Sequence, residues 1–92
     1  MLKIKDNVDL KELEKFGFKE KQNIYDKLVS SDNNSKVWTW YETIEIDKKD
    51  RIITTRLYND CADQDWYGFI EKVDRYLQDL DKADLVEKVS IK

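Results

Sequence analysis

Trp66-Tyr67-Gly68-Phe69-Ile70-Glu71-Lys72-Val73-Asp74-Arg75-Tyr76-Leu77-Gln78-Asp79-Leu80 is the stretch on which the fold turns. Trp66, Phe69, Ile70, Val73, Tyr76, Leu77 and Leu80 recur at helical steps, and at roughly 100° per residue they fall within about a 120° arc. The acids between Asp60 and Asp65 stand where a helix N-terminus takes carboxylates as caps and dipole partners. On the far side Glu71, Arg75 and Asp79 follow at four-residue steps, a ladder of opposite charges worth about 0.2 to 0.5 kcal/mol per pair. The spacing predicts a long C-terminal helix over 62–82 whose apolar stripe must lie on a sheet.

That sheet is announced by Val37 to Asp47 and Arg51 to Asn59, dense in Trp, Tyr, Ile and Thr and separated by Asp47-Lys48-Lys49-Asp50. Pairing Ile46 with Arg51 sets Ile44 opposite Ile53, Thr43 opposite Thr54, Tyr41 opposite Arg56 and Trp40 opposite Leu57. Alternation then separates two faces. Trp38, Trp40, Ile44, Ile46, Ile53 and Leu57 form the expected core face, interrupted by Glu42 and Thr55. Thr39, Tyr41, Thr43, Glu45, Thr54, Arg56 and Tyr58 form the other.

Further out, Leu2-Lys3-Ile4-Lys5 alternates as a short strand, and Ile24 to Val29 reads as a third central strand followed by a turn-prone run, Ser30 to Ser35. Between them Asp9 caps a short N-terminal helix with Glu12 three residues on, a relative of the capping box. Leu10 and Leu13 are its buried stripe. Gly17 is the left-handed residue that ends it, with Phe18 placed to fold back on Leu13. Leu85 to Ile91 either extends the C-terminal helix or alternates as a strand through Leu85, Val89 and Ile91; the strand is preferred. The expected fold is α+β: an antiparallel sheet of three central strands, open to extension by terminal strands, with the long helix packed on one face and the short N-terminal helix beside it.

At 92 residues the chain supports a single domain, since a chain of this size buries only about 60 to 65% of its unfolded surface. No linker, internal repeat or second lobe is visible. The absence of histidine removes His-based triads and zinc sites, and the single Cys61 closes no internal disulfide and fills no cysteine-rich metal site. A net charge of −3 from 17 bases and 20 acids gives no field suited to duplex nucleic acid. Apolar runs such as Ile52-Ile53 are far below the roughly 20 residues that cross a bilayer, and the first residues lack a signal core. A cytoplasmic protein with no membrane association is the expectation.

Leu2-Lys-Ile-Lys-Asp-Asn-Val-Asp-Leu-Lys-Glu-Leu-Glu-Lys-Phe-Gly-Phe18 and Lys82-Ala-Asp-Leu-Val-Glu-Lys-Val89 resemble the ends of a group of small uncharacterised proteins of phages, prophages and mobile elements of low-GC Gram-positive bacteria. The resemblance covers about a quarter of the chain and rests on capping and packing residues. It implies a bacterial intracellular setting and an accessory or host-interaction role, and brings no catalytic residue with it.

Four constellations bear on chemistry. Asp63, Asp65, Gly68 and Asp74 match positions of a calcium loop, but Tyr67 takes a ligand position, and helix capping explains the acids more simply. Tyr41, Arg56 and Tyr58, on the non-core face, are the candidate binding residues. With Trp38 and Trp40 they would form a base-stacking platform only if the tryptophans left the core, and Glu45 opposes phosphate. Residues 60–84 hold eight acids and three bases, the composition of an acidic nucleic-acid mimic, but Glu71, Arg75, Asp79 and Lys82 mix both signs on the outer helix face. Glu42 and Glu45 lie on opposite faces of one strand, Cys61 has no histidine base, and Gly17 and Gly68 build no phosphate loop. The sequence therefore predicts no catalytic residue, no metal and no cofactor. It predicts a non-enzymatic accessory protein that binds a protein partner or a second copy of itself. An acidic mimic that inhibits a host defence or DNA-binding protein and a weak single-stranded nucleic-acid binder are the alternatives.

Overall fold

A computed structural model of the chain describes residues 1–32, 39–59 and 65–89. Its elements are β1 (Leu2–Ile4), a 3₁₀ helix (Leu10–Phe16), β2 (Lys19–Glu20), β3 (Ile24–Asp32), β4 (Trp40–Asp47), β5 (Ile53–Asn59), β6 (Asp65–Phe69), α1 (Gln78–Lys82) and β7 (Val86–Lys88). Strands β2 to β6 make an antiparallel meander in chain order. β1 pairs antiparallel with β7 in a separate two-stranded sheet, bridged to the meander where Lys3 meets Ile52. The fold is mostly β, with five strands where three were expected. The terminal strands join each other and do not extend the main sheet.

The long helix over 62–82 does not form. Residues 60–64 lie outside the described residues, Asp65–Phe69 is strand β6 laid along β5, and helix is confined to Gln78–Lys82. Three aromatics in five residues suit a pleated surface, and Gly68 inside a helix costs about 1 kcal/mol relative to Ala. Strand β6 also satisfies the backbone along β5, which a helix would have left open. The apparent period survives because Ile70, Leu77 and Leu80 do all reach the core, from an irregular segment, a turn and α1 respectively. The charge ladder dissolves: Glu71 takes the Met1 amino group at 2.7 Å, and the Arg75 guanidinium donates to the Tyr76 hydroxyl at 2.7 Å.

The central hairpin stands, two residues out of the expected register. Ile46 faces Ile53, Ile44 faces Thr55, Glu42 faces Leu57, Trp40 faces Asn59, Thr43 faces Arg56 and Tyr41 faces Tyr58. The cause is Arg51, which belongs to the turn. Its φ is +65°, its N–H donates to the Asp47 carbonyl, and the Asp47 carboxylate accepts from Lys49 and Asp50 N–H. Since side chains alternate with period two, a shift of two leaves both faces intact. β3 runs past Val29 to Asp32 with a bulge between Leu28 and Ser30. The rest of the expected turn, residues 33–35, and the start of the expected strand, Val37 and Trp38, lie outside the described residues.

Tyr25, Ile44, Ile46 and Ile53 share one face of the meander and are buried against Leu2 and Ile4 of β1, Leu13 of the 3₁₀ helix, Leu80 of α1 and Val86 of β7. This covering layer stops short of the far end of the hairpin. Trp40, expected in the core, is only partly buried and packs on Trp66 at 5.4 Å between ring centres, while Leu57 is exposed.

The N-terminal helix is 3₁₀, with its ends as read from the sequence. The Asp9 carboxylate accepts from Lys11 N–H, Gly17 sits at φ +91°, and the Gly17 and Phe18 N–H groups donate to Glu14 and Leu13 carbonyls in a Schellman pattern. The segment before it is held by Arg51, whose Nη1 donates to the carbonyls of Lys5 (2.9 Å) and Val8 (2.6 Å). The C-terminal stretch is strand over Val86–Lys88; Ile91 lies outside the described residues.

Candidate interaction surface

Every second residue of the meander points away from the core. Asp26 and Leu28 of β3, Tyr41, Thr43 and Glu45 of β4, Thr54, Arg56 and Tyr58 of β5, and Asp65, Tyr67 and Phe69 of β6 occupy this second face by register. Tyr41, Arg56 and Tyr58 are brought together on it. Tyr41 stacks on Tyr58, directly opposite, at 5.2 Å with 24° between the planes. The Arg56 guanidinium lies over Tyr58 at 4.4 Å and reaches toward Tyr67 at 5.8 Å, so the contact expected with Tyr41 is made instead with the tyrosines on either side of it along and across the strands.

Arg56 is fixed by Asp65, whose carboxylate accepts from Nη2 at 2.9 Å across the β5–β6 ladder. Burial works against the guanidinium charge, but the Asp65 hydrogen bond, with Tyr67 and Glu45 nearby, outweighs it and holds the pKa above its usual value. The Nε of Arg56 and the Oγ1 of its cross-strand neighbour Thr43 are buried with no hydrogen-bond partner among the described residues. Glu45, one step along the same face, has its pKa raised above 4.5, first by burial and then by Asp26 and Asp65, with Arg56 pulling the other way. The surface is therefore an aromatic patch around one ion-paired arginine, rimmed by carboxylates.

Sequence reasoning missed Tyr67 and Phe69, which are about 60% exposed and continue the patch to the sheet edge. Read as helix residues they were divided between faces; the signal that marks them is the aromatic density of Trp66-Tyr67-Gly68-Phe69 itself. Among the described residues β6 is the outermost strand of the meander. On the core side of the same end, Trp40, Glu42, Leu57, Arg75 and Tyr76 line a groove of about 320 Å³. Glu42 thus belongs to the groove side and Glu45 to the other face, and the two carboxylates do not converge.

The calcium-loop residues scatter: Asp65 binds Arg56, Gly68 lies within β6, Asp74 accepts from the Tyr76 N–H, and Asp63 lies outside the described residues, as does Cys61. Among the described residues no three His, Cys, Asp or Glu side chains are grouped to hold a metal ion, and no helix is long and apolar enough to cross a membrane. No protein-family model, curated protein or solved structure matches the chain.

Proposed function

We propose that the protein is a non-enzymatic binding module that engages a protein partner, or a second copy of itself, through the aromatic end of its five-stranded sheet. The observation that carries this reading is strand β6: an outermost strand with no charged residue from Trp66 to Phe69 and with Trp66, Tyr67 and Phe69 each about half exposed or more. Sheet edges of this kind are templates for further strands unless charge, proline or a covering element blocks them. An accessory role in a phage or mobile-element setting, in the cytoplasm, belongs to the same proposal and is supported by the resemblance of residues 2–18 and 82–89.

The test is affinity capture at about physiological salt and again at roughly threefold higher salt, with the wild-type chain and a Phe69→Glu variant as bait. Apolar and aromatic contacts are not screened by salt, so the captured protein should stay bound to the wild type and be lost by the variant. The tyrosines around Arg56 favour single-stranded nucleic acid as the second reading. Retention on single-stranded DNA that fades steeply with salt would replace the primary reading with that one.

A further inference from the structure

Resting on the edge-strand reading above, we infer that the occupant of the β6 edge is the β6 edge of a second copy, paired antiparallel about a two-fold axis at Tyr67.

The backbone decides which residues can take part. The Ile70 N–H donates to the Ile53 carbonyl, and the β5–β6 register makes these two residues partners. Bonded pairs alternate in an antiparallel ladder, so Gly68 and Trp66 also turn their N–H and C=O groups toward β5. At the other side of β5, the Asp47 N–H to Ile52 carbonyl bond puts the backbone of Thr54, Arg56 and Tyr58 toward β4, which leaves Ile53, Thr55 and Leu57 for β6. The two ladders agree. The outward groups on β6 are those of Asp65, Tyr67 and Phe69.

Only one register joins all three to their counterparts. Tyr67 then faces Tyr67, Asp65 faces Phe69, and Trp66 faces Gly68 of the second copy. The strand is self-complementary in this register. Trp66 lies across the bare backbone of Gly68, the arrangement in which a cross-strand aromatic covers a strand glycine. Tyr67 and Phe69 of both copies form one aromatic cluster on the other face. Charge selects the same register. Asp65, the only charged residue of β6, is already paired with Arg56 and meets a phenyl ring, whereas sliding the strands until Asp65 faces itself would oppose two carboxylates. A strand free of other charge lets two chains of net charge −3 meet without direct repulsion.

Area sets the strength. Side chains of roughly 150 to 250 Å², exposed by 49% (Trp66), 61% (Tyr67) and 60% (Phe69), supply roughly 350 Å² per copy. Twice that is below the roughly 1,200 to 2,000 Å² of stable complexes. The dimer is weak and forms as concentration rises.

Single-cysteine variants in a Cys61→Ser background test the register, each checked for an unchanged far-UV spectrum. A directly opposed bonded pair places Cα atoms about 5.5 Å apart, within disulfide reach, so Tyr67→Cys should form an interchain disulfide under mild oxidation. Phe69 and its own copy lie four residues apart along the strands, about 14 Å, and Phe69→Cys should stay reduced. Sedimentation of the wild type should show mass rising toward two chains between about 10 μM and 1 mM, with Phe69→Glu, which sets a carboxylate against Asp65 of the second copy on both sides of the axis, monomeric throughout. Faster cross-linking by Phe69→Cys than by Tyr67→Cys overturns the register. A wild type that remains monomeric at about 1 mM overturns the second copy as occupant. If Phe69→Glu nonetheless loses a different captured protein, the edge-strand reading stands without it; if it loses nothing, both fall.

Discussion

The two ends of the central hairpin are built from similar residues and meet different fates. At the turn end, Ile44, Ile46 and Ile53 are sealed by β1, β7, α1 and the 3₁₀ helix. At the open end, Trp40, Leu57 and Trp66 share the same face, yet each keeps substantial contact with solvent. Hydrophobicity of the strand residue does not separate the two; the reach of the covering layer does. A short chain has few apolar side chains outside the meander, and among the described residues the fully buried ones gather against the turn end, with Tyr76 reaching toward Trp40 and Leu57.

Substitutions at four positions probe that division. Ile53→Ala, at the sealed end, should destabilise by about 3 to 4 kcal/mol in chemical denaturation, through lost transfer energy and the cavity left behind. A cost below about 1 kcal/mol would mean that this end is no better packed than the other. Arg51→Ala leaves the carbonyls of Lys5 and Val8 without their charged donor and should cost about 2 to 3 kcal/mol; since the one nitrogen Nη1 serves both carbonyls, Arg51→Lys, whose ammonium carries three N–H donors, should recover part of the loss. Phe69→Ser, at the open end, should change stability by no more than about 0.5 kcal/mol. A large loss there would show that the ring is part of the core.

The smallest effect is electrostatic. Burial raises the Glu45 pKa in the folded chain, so the folded state binds a proton more readily than the unfolded one. Stability contributed at this site is therefore greatest at low pH and falls as pH rises from 4.5 through the raised value. Glu45→Gln should flatten the melting temperature against pH in that window and leave the variant at least as stable as the wild type near neutrality. A variant less stable at neutral pH would mean that the ionised carboxylate is held by Arg56 more strongly than burial opposes it.

How much of this was legible in the sequence follows from which signals are local. The Asp9 and Gly17 ends of the N-terminal helix are local chemistry and were readable residue by residue. The two faces of the hairpin were readable from alternation. Its register was not, because Arg51 shows no glycine-like mark of the left-handed conformation it adopts, and because an error of two residues leaves the face pattern unchanged. The stretch from Trp66 to Leu80 failed for a different reason: Ile70, Leu77 and Leu80 need to reach one core, and helical spacing is only one way to arrange that. Of the candidate surface, Tyr41, Arg56 and Tyr58 were found through alternation, while Tyr67 and Phe69 were lost with the strand that carries them.

The pairing of β1 with β7 has a kinetic consequence. Every contact within the meander joins strands that are neighbours in sequence, but Leu2 meets Lys88 and Ile4 meets Val86 across nearly the whole chain. Closing so long a loop is entropically unfavourable until the rest is in place, so the meander is expected to form first and the terminal ladder to close after the barrier. Weakening Ile4 should then leave the folding rate nearly untouched and show itself in faster unfolding, which makes this small sheet the latch that sets the lifetime of the folded state.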